Sequence, residues 1–525
     1  MSLAPVTSAS EADALVAAIE RAGVTGITAK QLSEVTQLPP ARVSDRLEEL
    51  STDETITRIG RGLWILRRFA VIGKFESGFR GPAFYEYSFE RQFGLRIGVK
   101  ERELQFNPNE RRPVHRWWPY VQGFSAAFVT ETFRRFGIGR DSVVLDPFCG
   151  SGTVPITARI LGAKGIGIEM MPIAAFVASA KGEWGVDPGE LTTFARKVAK
   201  LRAAPTIPKP FLKETGRQFE PDILRSLLRL KENLWSLPEG PTKTLLKIAF
   251  ASILIDSSNL KRAPCLGYTK KLGLTGDTPF TLFLERVQRI AEDLRTLQQR
   301  RKSWGPEIDI RVGSSAQIRL PDNSVDLAVT SPPYVNGMDY VMNYKIDLAW
   351  MGYIDSYDRL ADLRASMVAC DNIPRSTVVG HRPSKLVRSD SWLDSVVSTI
   401  DRNIRTKGSY RRDDMGSIVA KYFDDLVPVI ENVYEALKPG ARFVVVNGDS
   451  LIAGTYVPGD MIFARLASKI GFIVESFEVA RTRRSGQRRD FMLRESIATL
   501  RKPGPYVPPR AVRTSQTLED FAPPN

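Results

Sequence analysis

Short apolar runs that end at a turn residue or an acidic residue predict the buried strands of a parallel sheet. Seven such runs lie beyond residue 140, at 141–145, 163–168, 308–312, 325–329, 442–446, 471–474 and 496–500. Between them apolar positions recur at helical spacing, as in the amphipathic stretch 125–136. Continuous apolar runs are typical of strands covered on both faces, so their alternation with helices predicts an α/β fold.

The first 68 residues have a pattern of their own. Apolar residues at helical spacing between 14 and 19 predict a first helix, and Thr28 is the predicted N-cap of a second. A third helix is predicted from Pro39-Pro40 to Leu50, and the alternating stretch 56–65 predicts a two-stranded wing. Residues 1–68 therefore resemble a winged helix-turn-helix domain.

In a winged helix, Arg42 and Arg46 would lie where the domain meets DNA. The alternative is that this unit binds protein, as many winged helices do.

Changes in composition divide the rest of the chain. Residues 69–123 form an aromatic-rich connector with some strand, 188–307 a helical insert, 356–416 a polar, irregular and basic insert, and 502–525 a Pro-rich tail. The remaining segments, 124–187, 308–355 and 417–501, carry the predicted strands and make up the core.

The composition is that of a folded protein, and its basic charge favours a polyanionic partner, with a merely basic, soluble enzyme as the alternative. The 525 residues are 43% hydrophobic and 25% charged, and the formal net charge is +15. Three cysteines without a CxxC pair and only two histidines argue against a disulfide framework, a metal site and histidine catalysis. No signal peptide and no membrane-spanning stretch is recognisable, which predicts a cytoplasmic protein with no membrane partner.

A glycine-rich loop, Asp146 to Thr153, follows a predicted strand and precedes a helix. Its glycines allow backbone amides to approach a ligand closely. The loop lacks the lysine of a phosphate loop, and the Asp146 carboxylate suits a cationic ligand better than a phosphate. Glu169 ends the next strand, at the position that binds ribose hydroxyls in doubly wound folds. This order of elements predicts a nucleotide-type cofactor site.

A second motif, Thr330-Ser331-Pro332-Pro333-Tyr334, follows the strand 325–329. Two consecutive prolines end a strand abruptly, because they cannot donate to its ladder. The motif therefore lies at the carboxyl end of a strand, where open α/β sheets bind ligands. A hydroxyl, a backbone carbonyl and an aromatic ring are suited to hold a flat base by its exocyclic amine.

Together the two motifs, Asp-Pro-Phe-x-Gly-Ser-Gly-Thr and Thr-Ser-Pro-Pro-Tyr, resemble the amino-methyltransferases of DNA, which methylate N4 of cytosine or N6 of adenine. The resemblance implies a Rossmann-like S-adenosylmethionine-dependent methyltransferase core that acts on double-stranded DNA. Serine at the first position of the second motif is usual in the N4-cytosine enzymes.

The resemblance also assigns roles to residues. It implies that catalysis rests on Ser331, Pro332, Pro333 and Tyr334. Ser314 is included among the cofactor-binding residues because its hydroxyl can replace an acid that the family often has near the third strand. The residues implied to bind the cofactor are Phe124, Ser125, Asp146, Pro147, Phe148, Gly150, Ser151, Gly152, Thr153, Glu169 and Ser314.

The chemistry of such a site agrees with the motifs. Hydrogen bonds from the amine to the Ser331 hydroxyl and the Pro332 carbonyl would localise the nitrogen lone pair and direct it at the sulfonium methyl. Tyr334 would stack on a base that is flipped out of the duplex, and no cysteine nucleophile is required.

The predicted function is therefore a site-specific DNA methyltransferase that acts on N4 of cytosine, with a cognate restriction endonuclease as a candidate partner. The alternatives, in order, are methylation of N6 of adenine, methylation of an RNA base, and a DNA-binding regulator with an inactive methyltransferase core.

Two basic clusters are predicted to contact DNA phosphates. One lies in the insert 356–416 and the other between the last two strands, and their alternatives are a mobile lid and a solvated loop. The insert 356–416 is preferred over the helical insert as the target-recognition segment. The basic residues are Arg402, Arg405, Lys407, Arg411 and Arg412 in the first cluster and Arg483, Arg484, Arg488 and Arg489 in the second.

Overall fold

The computed structural model describes most of the 525-residue chain. The described residues are 8–22, 27–52, 55–59, 63–66, 80–102, 104–120, 123–201, 203–262, 265–299, 304–370, 373–407, 412–485 and 491–505. The predicted DNA contacts Arg411, Arg488 and Arg489, and the tail beyond residue 505, lie outside them.

An eight-stranded sheet forms the centre of the protein. Its strands are β1 (Gly98–Val99), β2 (Val143–Asp146), β3 (Lys164–Glu169), β4 (Asp309–Val312), β5 (Val325–Thr330), β6 (Leu437–Gly448), β7 (Ile473–Arg484) and β8 (Met492–Arg501). They lie in the spatial order β1-β7-β8-β6-β5-β2-β3-β4. Strands β2 to β6 run parallel, whereas β8 is antiparallel to both of its neighbours.

The parallel strands are in the order 3-2-1-4-5 of a doubly wound sheet, with the switch point between β2 and β5. All seven predicted strands are present, so the predicted α/β, Rossmann-like core is confirmed. Each face of the sheet is covered by its own apolar layer, because successive residues of a strand point to opposite sides. In β5, Leu327 and Val329 belong to one layer and Ala328 to the other.

Helices cover both faces of the sheet and fill the inserts. The helices of the region 188–299 share one continuous core with the sheet face that carries Leu327. The helices are Ser8–Ala22, Ala29–Thr36, Pro40–Thr52, Pro82–Phe93, Ala126–Arg135, Thr153–Ile160, Pro172–Ala180, Pro188–Lys200, Thr215–Gln218, Pro221–Trp235, Pro241–Ile253, Thr278–Gln299, Tyr340–Asn343, Lys345–Met351, Tyr357–Ser366, Lys385–Arg388, Ser391–Lys407, Met415–Ala436 and Gly459–Ile470. Two small hairpins, Leu260–Arg262 with Leu266–Tyr268 and Ser450–Ile452 with Thr455–Val457, complete the regular structure.

The N-terminal residues form a separate small core. Three helices and a three-stranded antiparallel sheet (Ile27–Thr28, Ile56–Ile59 and Leu63–Leu66) enclose Leu15, Leu32 and Leu47. Thr28 caps its helix as predicted, in a reciprocal capping box with Gln31.

The prediction of irregular structure for the insert 356–416 is wrong, and the connector 69–123 contains a helix in addition to the predicted strand. The insert 356–416 contains three helices, and the longest, Ser391–Lys407, buries Leu393, Val396 and Ile400 at helical spacing. The connector 69–123 contains the helix Pro82–Phe93, whose buried aromatic residues Tyr85 and Phe89 lie four positions apart. In both segments apolar residues recur with a helical period, but the many charged or aromatic residues around them made this period difficult to recognise in the sequence.

No helix among the described residues is long and apolar enough to cross a membrane.

Candidate active site

The two sequence motifs meet at the switch point of the sheet. Asp146 ends β2 and Thr330 ends β5, and the two strands pair in parallel through Leu145 and Ala328. The Thr330 hydroxyl donates a 2.7 Å hydrogen bond to Oδ1 of Asp146, with both residues buried. A direct contact thus joins the start of the glycine-rich loop to the start of the Ser331 loop.

The glycine-rich loop is held open by left-handed backbone conformations. Gly150 and Gly152 have φ values of +51° and +87°, which L-residues with a side chain rarely adopt. Gly152 then serves as the N-cap of the helix Thr153–Ile160. A Cβ atom on Gly150 would lie 2.6 Å from Cε1 of Tyr120, so the loop also packs tightly against that ring.

Glu169 fixes the loop from the end of β3. Its carboxylate accepts hydrogen bonds from the backbone N–H of Gly150 and of Met171, both at 2.8 Å. Burial raises the pKa of Glu169, and these N–H groups oppose the rise.

Asp146 lies beside Glu169 and is also buried. Burial raises the pKa of Asp146 to about 7, hydrogen bonds from Thr330 and the Phe148 N–H act against the rise, and the Glu169 charge adds to it. No lysine or arginine of the described ranges forms a salt bridge with either carboxyl group, and such a pair of neighbouring buried carboxyl groups favours a positively charged ligand.

The Ser331 loop is fixed on two sides. The Tyr422 hydroxyl donates to the Pro333 carbonyl at 2.8 Å, and the Gly337 N–H donates to the Tyr334 carbonyl at 2.8 Å. The Tyr334 ring lies against Gly448 at the end of β6, where a Cβ atom would come within 2.9 Å of the ring. Burial raises the pKa of Tyr334 well above its ordinary value.

A cavity of about 270 Å³ opens between the two loops. Nine of the predicted site residues line it: Phe124, Asp146, Phe148, Gly150, Thr153, Glu169, Ser314, Ser331 and Pro333. The structure therefore brings the predicted cofactor residues and the predicted catalytic loop to one space.

The other predicted site residues support this cavity from outside. Ser125 caps the helix Ala126–Arg135 by accepting a hydrogen bond from the Phe128 N–H, so its side chain has a structural contact rather than a place in the cavity wall. The Ser151 hydroxyl is buried and has no hydrogen-bond partner in the described part of the chain. Pro147, Gly152, Pro332 and Tyr334 complete the two loops next to the lining residues.

Several lining residues were not predicted. Tyr120 and Tyr340 are aromatic, and the Tyr120 ring stacks on Tyr344 with centroids 5.5 Å apart. The sequence signal was the run Trp117-Trp118-Pro119-Tyr120 just before Phe124. Most of the other unpredicted lining residues come from the segment 365–368 and from the helix Met415–Ala436, and nothing in their local sequence marks them. The rest are neighbours of the predicted residues, namely Gly123, Cys149, Met170, Met171, Ser315 and Ala316.

The basic residues of the insert and of the β7–β8 region differ in exposure. Arg402 and Arg405 are exposed on the helix Ser391–Lys407. The predicted contact Lys407 ends this helix, and its side chain is not among those that the structure describes. Arg412 is held by Asp414 and by the Ile373 carbonyl. Arg484 is exposed at the end of β7, whereas Arg483 donates to the Asp449 carbonyl and lies 3.8 Å from Glu495.

The N-terminal arginines are both ion-paired. Arg42 and Arg46 contact Glu11 of the first helix at 3.0 and 3.3 Å, and Arg46 also pairs with Glu49.

Comparisons with known proteins give curated relatives that align with most of the chain, two of which follow. The chain is 26% identical over 421 residues to the Type II methyltransferase M.BsoBI of Geobacillus stearothermophilus, a match that covers 70% of this chain and 80% of that protein. It is 23% identical over 461 residues to the Type II methyltransferase M.AvaI of Nostoc sp. strain PCC 7120, over 80% and 92% of the two chains. No family model matches the chain.

Solved structures align with the chain at low scores. A SAM-dependent methyltransferase from Methanosarcina mazei aligns with a TM-score of 0.25 and 10% identity, over 71% of this chain and 97% of that one. The rRNA methyltransferase aviRa from Streptomyces viridochromogenes aligns with a TM-score of 0.26 and 12% identity, over 73% and 87%.

Proposed function

We propose that this chain, a homologue of the Type II DNA methyltransferases, transfers a methyl group from S-adenosylmethionine to the N4 amine of cytosine in double-stranded DNA. One observation carries the proposal. The acidic glycine-rich loop and the Ser331 loop line the same cavity and are joined by the hydrogen bond between Thr330 and Asp146. A methyl donor held by one loop would therefore face an acceptor held by the other.

The residues of the cavity fit this cofactor. When bound, S-adenosylmethionine supplies an electrophilic methyl group on a sulfonium, together with a cationic amino group. Asp146 and Glu169 are buried carboxyl groups suited to such charges and to ribose hydroxyls. The aromatic rings of Tyr120 and Phe124 line the same cavity and add apolar and cation–π contact.

The Ser331 loop would bind the acceptor base. The Ser331 hydroxyl and the Pro332 carbonyl accept hydrogen bonds from the exocyclic amine, which localises the nitrogen lone pair for in-line attack on the methyl carbon. The nitrogen forms a bond to carbon, the carbon–sulfur bond breaks with its electron pair, and the amine proton leaves to water. Tyr334 would stack on the flipped base.

The exposed arginines Arg402, Arg405 and Arg484 are the proposed DNA-phosphate contacts among the described basic residues. The winged-helix interpretation of residues 1–68 remains part of the proposal, with DNA contact by its helices weakened because Glu11 engages Arg42 and Arg46. A cognate restriction endonuclease is proposed as a functional partner, in line with the Type II relatives.

The proposal is tested by incubating the purified full chain with methyl-labelled S-adenosylmethionine and either unmethylated duplex DNA or total RNA. We expect label in DNA with the wild type, no label in RNA, and none in DNA with an Asp146→Ala variant. Label in RNA alone would show that the substrate is RNA and not DNA. Cofactor binding without label in either nucleic acid would support a regulator with an inactive core.

Cofactor affinity is expected to fall below about pH 7. The free protein carries a proton on Asp146 below its raised pKa of about 7, but a cationic ligand requires the carboxylate. Binding must then release that proton, so the Kd rises by up to about tenfold for each pH unit below 7 and is flat above it. Calorimetric titration between pH 5.5 and 8.5 measures the slope.

An Asp146→Asn variant is the matched control for this titration, because it keeps the side-chain shape and removes the charge. Its Kd for the cofactor should be larger than that of the wild type at pH 8 and should not depend on pH. The same slope in both proteins would assign the effect to another group.

A further inference from the structure

Two consecutive positions of the Ser331 loop, Pro332 and Pro333, have no backbone N–H to donate. At these positions the chain can therefore be fixed only through carbonyl oxygens or side-chain packing. In the proposed function the Pro332 carbonyl accepts from the base. No donor reaches this oxygen in the described part of the chain, so it is available for that contact.

The Pro333 carbonyl, in contrast, is occupied. The hydroxyl of Tyr422 donates to it at 2.8 Å from the helix Met415–Ala436. Tyr422 is only 1% exposed, and its ring is packed edge-on against Phe423 with centroids 4.9 Å apart. Because the ring is locked in the core, its hydroxyl is a rigid anchor rather than a mobile partner.

A second contact orients the Tyr422 hydroxyl itself. A hydrogen bond from the side chain of Asn447 lowers the pKa of Tyr422, against the larger upward effect of burial. The Asn447 side chain in turn accepts from the Gly448 N–H at 2.8 Å. Asn447 at the end of β6 therefore lies beside the hydroxyl that holds the Pro333 carbonyl.

We infer that Tyr422 is a positioning residue that sets the direction of the Pro332 carbonyl, and this inference rests on the proposed function. The Pro332–Pro333 peptide and the Pro333–Tyr334 peptide share the rigid ring of Pro333. Fixing the Pro333 carbonyl therefore restricts rotation of both peptide planes. The Tyr422 hydroxyl thus positions both the Pro332 carbonyl, which accepts from the amine, and the Tyr334 ring, which stacks on the base, without contacting the base itself.

The test compares Tyr422→Phe with Tyr434→Phe. Both changes remove one hydroxyl from the same helix, but Tyr434 lies twelve residues further along and packs on Phe472. In Tyr422→Phe, the single-turnover methylation rate is expected to fall roughly 10- to 100-fold, with the Kd values for cofactor and DNA changed less than about twofold. Tyr434→Phe should match the wild type in all three quantities. A merely structural role would weaken binding and rate together.

Hydrogen–deuterium exchange of the peptide covering residues 331–339 provides a readout that does not depend on activity. It should be faster in Tyr422→Phe than in the wild type and unchanged in Tyr434→Phe. If the wild type methylates no DNA, the proposed function fails, while faster exchange still supports the anchor. Equal exchange and equal rates in both variants overturn the inference.

Discussion

Replacement of Ser331 by alanine is expected to lower the methylation rate by about 10²- to 10³-fold, as loss of one hydrogen-bonding group at a reacting centre commonly does. Ser331 lines the cavity between the two loops, and the substitution removes only its hydroxyl, which also contacts the Tyr334 side chain. Because Asp146, Glu169 and the glycine-rich loop are untouched, the cofactor Kd should change less than about twofold. Single-turnover assays and calorimetry separate the two quantities.

Ser324→Ala is the matched control for this variant. Ser324 precedes the same strand at its opposite end, and its hydroxyl donates to the Pro321 carbonyl, away from the cavity. Its rate should equal that of the wild type. A Ser331→Ala enzyme that retains more than about a third of the wild-type rate would remove this hydroxyl from the mechanism.

Replacement of Gly150 by alanine is expected to weaken cofactor binding at least about 100-fold. A left-handed φ of +51° costs an alanine about 1–2 kcal/mol, and the new Cβ would lie 2.6 Å from the buried Tyr120 ring. Either the loop or the ring must move, and both line the cavity. Calorimetric titration with S-adenosylmethionine gives the Kd, and circular dichroism reports whether the fold is kept.

Gly185→Ala controls for the loss of a glycine, because a Cβ atom there meets nothing within 4 Å. It should bind the cofactor as the wild type does. If a folded Gly150→Ala protein binds the cofactor with wild-type affinity, the left-handed conformation of Gly150 is not required for binding.

The sheet and the two motif loops were predictable because their signals are local. The central parallel strands β2 and β5 are short apolar runs, and the loops after them must meet where the carboxyl ends of neighbouring strands lie side by side. The curated relatives that align with the chain are Type II methyltransferases, in line with the family predicted from these loops. The strand β1 lies in the connector that was predicted to contain some strand, but its two residues are too few to give a period that would locate it.

The rest of the cavity wall depends on contacts between distant parts of the chain. The segment 365–368 reaches the cavity because Oδ2 of Asp425 accepts from the Ala369 N–H, and Arg364 pairs with Asp339 of the Ser331 loop at 2.7 Å. Tyr422 lies 89 residues from the carbonyl that it holds. Such pairs have no local period or turn signature, so a single sequence does not reveal them.

Charged residues gave the least reliable guide to function. The sequence marks Arg42, Arg46 and Arg412 only as basic, whereas the structure pairs each of them with a carboxylate. The partner Glu11 lies 31 residues from Arg42, on another helix. An arginine is a candidate phosphate contact only when its exposure and its partners are known.

The proposed transfer to N4 of cytosine is tested by identifying the methylated base. Unmethylated genomic DNA is incubated with the wild type and labelled S-adenosylmethionine, digested to nucleosides and analysed by mass spectrometry, with Ser331→Ala in parallel. We expect label in N4-methylcytosine with the wild type and its loss in the variant. Label in N6-methyladenine would contradict the assigned acceptor, and label in 5-methylcytosine would contradict direct transfer to an exocyclic amine.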